Sequence, residues 1–181
     1  YAFTMRFCFG SLLLGLALAV SALSGQAQTF RGTFGDWEVA FAGPASWTAA
    51  PVREGGLVLQ VDDAENNRGV QVYAYPRLFR DDTPETVLPR FLGDLTRRFE
   101  TRGFADPTTG DLNGRPAAFT RGQLVLTDAD GRSILTEVLL TTYEAGDTFF
   151  TLWATARAPA PEPELQDLLL LTRNLRISRV E

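Results

Sequence analysis

The sequence predicts an α+β fold, in which helices pack on the faces of an antiparallel sheet. Segments with alternating apolar and polar residues come in groups, and only short polar turns separate the members of a group. Two further segments carry apolar residues at helical spacing, one before and one after the longest group of strands. Because helices cannot supply parallel crossovers throughout this order, we expect the sheet to be antiparallel.

The first half of the chain predicts a leading strand and a hairpin. From Gly35 to Phe41, apolar residues alternate with polar or small ones, which is the period of a half-buried strand. Ser46 to Val52 is a candidate for a second, shorter strand. Leu57 to Val61 and Val70 to Ala74 alternate in the same way, and a polar turn joins them, so we expect a β-hairpin.

A helix is expected after the hairpin. Thr83 is a suitable N-cap, and Pro84 suits the first helical position. Apolar residues then recur at helical spacing, at Leu88, Phe91, Leu92, Leu95 and Phe99. Gly103 is expected to end the helix, since glycine favours the position that follows a helix C-terminus. Pro89 either kinks the helix or lies in its first regular turn.

The second half of the chain predicts a three-stranded meander, a second helix and a closing strand. The pair Asn113-Gly114 is a strong signal for a two-residue hairpin turn. The predicted elements are strands at Ala117 to Thr127, Ser133 to Tyr143 and Thr148 to Ala156, a helix at Glu164 to Arg173 and a strand at Leu175 to Ser178. The middle strand of the meander has apolar residues on both faces, so we expect it at the centre of the sheet.

The N-terminus at residues 5–27 has the three parts of a cleavable secretory signal peptide. A short positive start and an apolar run, Leu12 to Val20, precede a small polar segment. We expect cleavage after Ala27, with Ala22 as the second candidate site. The apolar run is too short for a comfortable membrane span, so we expect cleavage and not a membrane anchor. Residues 28–181 have the usual length of one domain, and we expect this domain to be periplasmic or secreted.

The composition excludes several kinds of catalytic and binding site. The chain has no histidine and no lysine, and its single cysteine, Cys8, lies within the predicted signal peptide. This excludes a Ser-His-Asp triad, a zinc site built from histidine or cysteine, a Schiff-base lysine and a Gly-Lys phosphate loop. The net charge of −5 disfavours nucleic acid and anionic membranes as partners. We expect no catalytic residue, no metal site, no cofactor and no membrane span after signal cleavage.

Three groups of carboxylates are interpreted as turns in contact with solvent. They are Asp62, Asp63 and Glu65; Asp81 and Asp82; and Asp128, Asp130 and Glu137. The third group lacks the ligand spacing of an EF-hand calcium loop, because a glycine and a strand follow too early. Neighbouring carboxylates on a turn usually face water, whereas acid–base catalysis needs a set separation in a cleft. If a divalent ion binds, the first group is the expected site.

The residues predicted for binding are Trp47, Tyr73 and Tyr75. Tyr73 and Tyr75 project from the same face of one strand, and a tyrosine ring adds contact area while its hydroxyl stays hydrated. Trp47 lies in a segment rich in glycine, proline and alanine, where core periodicity is weak. The alternative is that both tyrosine rings lie under the first helix and belong to the core. Trp37 and Trp153 are expected in the core, because both lie in alternating strands.

A hairpin, a helix that opens with Thr83-Pro84-Glu85, and a meander entered through Leu112 to Ala117 follow one another between Leu57 and Ser178. This order resembles the PsbP-like superfamily, to which the photosystem II extrinsic protein and several bacterial envelope proteins belong. The resemblance implies an α/β/α sandwich and non-enzymatic assembly or binding work, and it assigns no functional residue. In addition, Phe34 to Val39 is similar to the opening of the invasion-associated locus B family, although the cysteines usual in that family are missing here.

The function predicted from the sequence depends on these exclusions and on the resemblance. The favoured interpretation is an exported, non-catalytic binding or assembly protein of the bacterial cell envelope, whose partner is an envelope protein or a small ligand. The alternatives are a carboxylate-dependent hydrolase of envelope glycans and a small-ligand carrier. A hydrolase should show a cleft with two converging carboxylates, whereas a binding protein should show an exposed aromatic or apolar patch with a polar rim.

Overall fold

The fold is described from a computed structural model of the chain. The structure describes residues 27–50, 52, 56–63, 65, 68–127 and 130–180. The predicted signal peptide lies outside these residues except for Ala27, and its cleavage stays a prediction. Within the described part of the chain, neither helix is long and apolar enough to cross a membrane.

The described residues form a large antiparallel sheet of eight strands. Its strands are β3 (Thr48–Ala49), β4 (Leu57–Asp63), β5 (Arg68–Pro76), β6 (Glu100–Arg102), β7 (Thr108–Leu112), β8 (Arg115–Thr127), β9 (Ser133–Ala145) and β10 (Thr148–Arg157). The order across the sheet is β3-β4-β5-β10-β9-β8-β6, and β7 also pairs with β8. The predicted hairpin is β4–β5 and the predicted meander is β8–β9–β10, and β5 joins the two through its pairing with β10. This pairing places β10 and β9 at the centre of the sheet.

A second sheet of three strands packs on one face of the large sheet. It consists of β1 (Ala27–Phe34), β2 (Trp37–Pro44) and β11 (Arg176–Arg179), in the order β1-β2-β11. The predicted first and last strands therefore exist, and they pair with each other rather than at the edge of the large sheet. Gly32 allows the close packing, since a Cβ atom at this position would lie only 2.2 Å from the Val58 carbonyl oxygen.

The two helices lie on opposite faces of the large sheet, which confirms the predicted α+β class. They are α1 (Pro84–Arg98) and α2 (Glu162–Asn174). α1 packs on β8, β9 and β10. α2 packs on the other face, where it contacts β10, β9 and β2. The face under α2 is therefore shared with the three-stranded sheet, a feature that the sequence did not predict.

α1 begins as predicted but ends earlier than predicted. Thr83 is the N-cap, and its backbone N–H donates to Thr86 Oγ1 at 2.9 Å. The helix continues through Pro89 and ends at Arg98, so the prediction of Gly103 as the terminating residue is wrong. The reason is that Glu100 already begins β6, which pairs with β8, and Gly103 comes after that strand.

The large sheet separates two hydrophobic clusters. One fills the space between the two sheets and α2, and its largest buried members include Val39, Phe41, Trp47, Val61, Tyr143, Phe150, Leu152 and Leu168. The other lies under α1 and consists of Leu88, Phe91, Leu95, Ala118, Leu124, Val138, Leu140 and Trp153. The predicted core positions Leu88, Phe91, Leu95 and Trp153 are confirmed, whereas Phe99 and Trp37 are only half-buried.

Candidate functional site

A groove of about 930 Å³ lies between α1 and the sheet face that α1 covers. We call it the helix–sheet groove. Its sheet side is formed by Asp62 of β4, by Gly69, Gln71, Tyr73 and Tyr75 of β5, and by Trp153 and Thr155 of β10. Its other side is formed by Phe91, Asp94, Leu95 and Arg98 of α1 and by Phe99 and Glu100 after it. The sheet residues Leu57 of β4 and Val125, Leu126 and Thr127 of β8 complete the lining.

The two-residue period of the strands explains why these side chains share one face. In β5, Gln71, Tyr73 and Tyr75 point to the α1 side, while the residues between them enter the other hydrophobic cluster. Register then fixes the neighbours across strands, because Gln71 lies opposite Trp153 and Gly69 lies opposite Asp62. At about 3.3 Å per residue, the groove extends about 20 Å along β5 from Gly69 to Tyr75.

An aromatic cluster forms one end of the groove. The ring centroids of Tyr73 and Tyr75 lie 6.5 Å apart with nearly parallel planes, and Phe91 of α1 lies 5.6 and 5.9 Å from them. Burial, followed by the proximity of Tyr73, raises the pKa of Tyr75 well above its ordinary value, so its hydroxyl remains protonated. Both tyrosines are half-buried, so they lie under the first helix and also line the groove.

Trp153 forms the middle of the groove. Its indole ring is buried, and it meets the half-buried ring of Phe99 edge to face with centroids 6.0 Å apart. In the described part of the chain, its Nε1–H has no hydrogen-bond partner. A buried donor without a partner is costly, and this one belongs to a residue that also lines the groove.

Polar side chains form the other end of the groove. Asp62 accepts a hydrogen bond from Gln60 Nε2 at 2.9 Å, and Thr155 Oγ1 donates to the Gly69 carbonyl oxygen at 3.2 Å. Closer to the aromatic cluster, the Tyr73 hydroxyl donates to Gln71 Oε1 at 2.9 Å. A Cβ atom at Gly69 would lie only 2.8 Å from Asp62 Oδ1, so glycine keeps this part of the floor open.

Two of the four charged side chains that line the groove are already paired. Asp94 binds Arg97, and Glu100 accepts from Arg102 Nη2 at 2.6 Å. Within the described residues, neither Asp62 of the floor nor Arg98 of the helix forms an ion pair. The groove therefore offers one unpaired carboxylate on the sheet side and one unpaired guanidinium on the helix side.

Trp47 does not lie at this site, and the prediction that it forms a contact surface is wrong. Its side chain is only 2% exposed and packs in the cluster between the sheets, 6.2 Å from the Phe41 ring. The guanidinium of Arg68 covers the indole at 5.8 Å. The Trp47 backbone N–H donates to the Pro44 carbonyl oxygen at 3.1 Å, and this turn lets a large ring fill the core although the local sequence has no core periodicity.

The acidic groups are less exposed than the sequence predicted. Asp63 is buried and binds Arg68 Nη2 at 2.7 Å, and Asp82 is only 5% exposed and binds Arg90. Glu65 is exposed, as predicted. Asp128 lies outside the described residues, and Glu137 of the third group is buried, with Gln123 Nε2 donating to it at 2.8 Å. Among the described residues, no three acidic side chains come together in a way that could hold a metal ion.

Asp82 holds a turn together from its inner side, a role that the sequence did not indicate. Its Oδ2 accepts hydrogen bonds from the backbone N–H groups of Leu78 at 3.2 Å and Phe79 at 3.0 Å, and its Oδ1 binds Arg90. Burial favours the protonated form of Asp82, but the hydrogen bonds from Arg90 and from the backbone outweigh it and lower the pKa of this carboxyl. The turn thereby presents Leu78 and Phe79, which are 70% and 61% exposed. We call residues 77–82 the Asp82 turn.

Several solved structures are similar to this chain. The cyanobacterial PsbP (CyanoP) of Synechocystis aligns with a TM-score of 0.64 and 13% identity over 85% of this chain and 94% of its own. LpqN of Mycobacterium tuberculosis, which is involved in cell envelope biogenesis, aligns with a TM-score of 0.50 and 17% identity over 89% and 96%. A Bacteroides thetaiotaomicron protein aligns with a TM-score of 0.51 and 12% identity over 87% of this chain and 50% of its own. No protein-family profile and no curated protein sequence matches the chain.

Proposed function

From the PsbP-like fold of this chain, we propose that it is a non-catalytic binding protein of the bacterial cell envelope and that its ligand occupies the helix–sheet groove. The observation that carries the proposal is the groove itself. Its volume of about 930 Å³ lies within the range of small-molecule binding sites, and aromatic and hydrogen-bonding side chains line it together. Tyr73 and Tyr75, two of the residues predicted for binding, form its aromatic end.

The envelope location is supported by the predicted signal peptide at residues 5–27 and by the likeness to LpqN. The measurement is N-terminal sequencing of the protein isolated from cells. We expect a mature chain that starts at Gln28 in the periplasmic or extracellular fraction. A chain in the cytosolic fraction that retains Met5 would contradict the proposed location.

The chemistry of the groove favours binding over hydrolysis. A glycosidase needs two carboxylates on opposite sides of the scissile bond, one of them protonated. In the groove, Asp94 and Glu100 are exposed and each is held by an arginine, while Asp62 of β4 accepts a hydrogen bond from an amide. None of these three carboxylates is buried, as an acid that must stay protonated would be.

The groove can be tested without knowing its ligand. We expect the protein isolated from its native envelope to retain a small molecule that denaturation releases and mass spectrometry detects. Gln71→Trp should fill the floor of the groove and abolish retention. The matched control is Gln166→Trp, which places the same side chain on the exposed face of α2 and should leave retention unchanged.

Equal retention by Gln71→Trp and the native protein would exclude the groove as the binding site. Both tryptophan variants must keep the native circular dichroism and unfolding midpoint for the comparison to count. Absence of any retained compound in the native protein, together with no shift of its midpoint in an extract of the envelope, would contradict a ligand-binding function.

An assembly role is a second proposal, and the Asp82 turn supports it. Two large apolar side chains, Leu78 and Phe79, are exposed on a turn that hydrogen bonds hold in place. Fixed, exposed apolar residues are typical of protein contact sites. Under this proposal, changing Leu78 and Phe79 together to serine should abolish crosslinking to one envelope protein. Leu170→Ser, which removes a 53% exposed leucine from α2, should leave the crosslink unchanged.

A further inference from the structure

We infer that the ligand of the helix–sheet groove is a neutral oligosaccharide, bound along the groove as an extended chain of several sugar units. This inference rests on the proposed function, which states only that the groove binds a ligand. Three features support it: the floor presents side chains instead of free backbone groups, those side chains suit hydroxyl groups and flat C–H faces, and the charged residues of the lining are three acids and only one base.

The backbone of the groove floor is committed to the sheet. β5 pairs with β4 on one side and with β10 on the other, and β10 also pairs with β9. A peptide that binds by strand addition needs the free N–H and C=O groups of a sheet edge, and inner strands have used theirs. Recognition on this floor must therefore come from side chains, which disfavours an extended peptide.

The side chains of the floor suit a sugar. A pyranose ring presents flat faces of C–H groups, which pack on aromatic rings, and hydroxyls that donate and accept hydrogen bonds. Tyr73 and Tyr75 supply half-buried rings, and Asp62 supplies a carboxylate that can accept from hydroxyls. Gln71 uses its Oε1 for the Tyr73 hydroxyl, and within the described residues its Nε2 has no acceptor, so this amide can donate to the ligand.

The charges disfavour anionic and lipid ligands. Asp62 has no cationic partner in the described part of the chain, and only Arg98 offers an unpaired positive charge in the groove. A phosphorylated or polyuronic ligand would meet this carboxylate in a protein of net charge −5. An acyl chain would cover Asp62 and Thr155 without offering a hydrogen bond, which is unfavourable.

The length of the groove favours a chain over a single ring. Its extent of about 20 Å along β5 exceeds one sugar ring several times over. Its polar end at Asp62 and its aromatic end at Tyr75 lie at opposite ends of this length. Consecutive sugar units can therefore contact hydrogen-bonding groups and ring faces in turn.

The test is calorimetric titration of the purified protein with neutral hexasaccharides of glucose and of N-acetylglucosamine. We expect one of them to bind, and a hexasaccharide of glucuronic acid to bind at least tenfold more weakly. Combining Asp62→Asn with Gln71→Ala should weaken binding roughly tenfold or more, as loss of hydrogen bonds to a charged group does. Asp106→Asn removes an exposed carboxylate outside the groove and should bind like the native protein. If the double variant does not keep the native unfolding midpoint, the single variant Gln71→Met is titrated in its place. Methionine is similar in shape to glutamine but cannot donate the hydrogen bond.

The outcomes distinguish this inference from the proposed function. If no neutral hexasaccharide binds while the native protein still retains an envelope compound that Gln71→Trp loses, the ligand class is wrong and the groove remains the binding site. Preference for the glucuronic acid chain, or for a peptide, also overturns the ligand class. If a neutral hexasaccharide binds and the groove variants do not weaken it, the groove is not the oligosaccharide site.

Discussion

At the scale of single residues, a buried tyrosine joins the large sheet to α2. The Tyr143 hydroxyl donates a hydrogen bond of 2.7 Å to the Thr172 carbonyl oxygen, and its side chain is buried in β9. Burial raises the pKa of Tyr143 well above the ordinary value of 10.0, and the pKa of Tyr75 is raised as well. The chain has no lysine, so tyrosine is the main group that titrates just above pH 10.

We therefore expect the free energy of unfolding to fall as the pH rises above 10. The unfolded chain loses the protons of Tyr75 and Tyr143 there while the folded chain keeps them, so the unfolded state binds fewer protons and gains stability relative to the folded one. Urea unfolding between about pH 8 and about pH 11 measures the slope. Tyr143→Phe should lose about 1 kcal/mol at neutral pH and show a shallower alkaline slope. Identical slopes in the two proteins would contradict the role of Tyr143.

A second residue-scale prediction concerns the Asp82 turn. The Asp82 carboxylate accepts hydrogen bonds from the backbone N–H groups of Leu78 and Phe79 and from Arg90. Asp82→Asn removes its negative charge, so amide hydrogen exchange at Leu78 and Phe79 should become several-fold faster at neutral pH. Asp81→Asn, a change in the exposed neighbour, is the control and should leave the exchange rates unchanged.

Acid should release the same turn. The pKa of Asp82 is lower in the folded chain than its ordinary value of 3.8, so the carboxylate stabilises the fold above that pH and loses this effect as the pH falls through the folded pKa. Equal hydrogen exchange in Asp82→Asn and Asp81→Asn would mean that the backbone of the turn holds itself without the carboxylate.

At the scale of elements, the apolar side chains of α1 that are buried against the sheet are expected to stabilise the fold. Leu95 is 5% exposed and belongs to the cluster under α1, so Leu95→Ala should lower the free energy of unfolding by about 2–5 kcal/mol. Leu170→Ala in α2, where the side chain is 53% exposed, should change it by no more than about 0.5 kcal/mol. Chemical denaturation measures both. If Leu95→Ala lowers the free energy of unfolding by less than about 0.5 kcal/mol, this side of α1 faces solvent.

Periodicity in the sequence predicts most elements, because each depends on neighbours in the chain. The hairpin β4–β5, the meander β8–β9–β10 and both helices were predicted in this way. Periodicity does not specify which distant strands pair, and the pairing of β5 with β10 and of β2 with β11 decides the architecture. The three-stranded sheet was missed for this reason.

The groove was predicted only in part, for a related reason. Tyr73 and Tyr75 were recognisable because alternation places them on one strand face. Gln71 shares that face of β5, and the remaining side chains come from α1, β4, β6, β8 and β10, so only the tertiary fold brings them together. The exposure of Trp47 and Asp82 was predicted wrongly, because their own segments look exposed. Trp47 packs against an aromatic ring of the core, and Asp82 binds an arginine of α1.

At the scale of the whole molecule, β11 completes the three-stranded sheet. Ile177 is 9% exposed and lies opposite Val39, and the guanidinium of Arg179 covers the Trp37 ring at 5.3 Å. A chain that ends after Leu175 should therefore lose several kcal/mol of stability, since burial of one large aliphatic side chain alone contributes about 2–5 kcal/mol. Urea denaturation checks this, with Arg179→Ala as the milder control. An unchanged midpoint would mean that the three-stranded sheet contributes little to the fold.

The pairing of β2 with β11 also has a consequence for the order of events during folding. Ala40 lies beside Arg176, so these partners are separated by nearly the whole described chain. Contacts between distant segments form slowly, and folds rich in them need milliseconds to seconds, whereas helical bundles need microseconds to milliseconds. A growing chain cannot close its second sheet until its last strand has been released. Until then Val39 lacks the strand neighbour, and Trp37 the arginine, that β11 supplies in the folded chain.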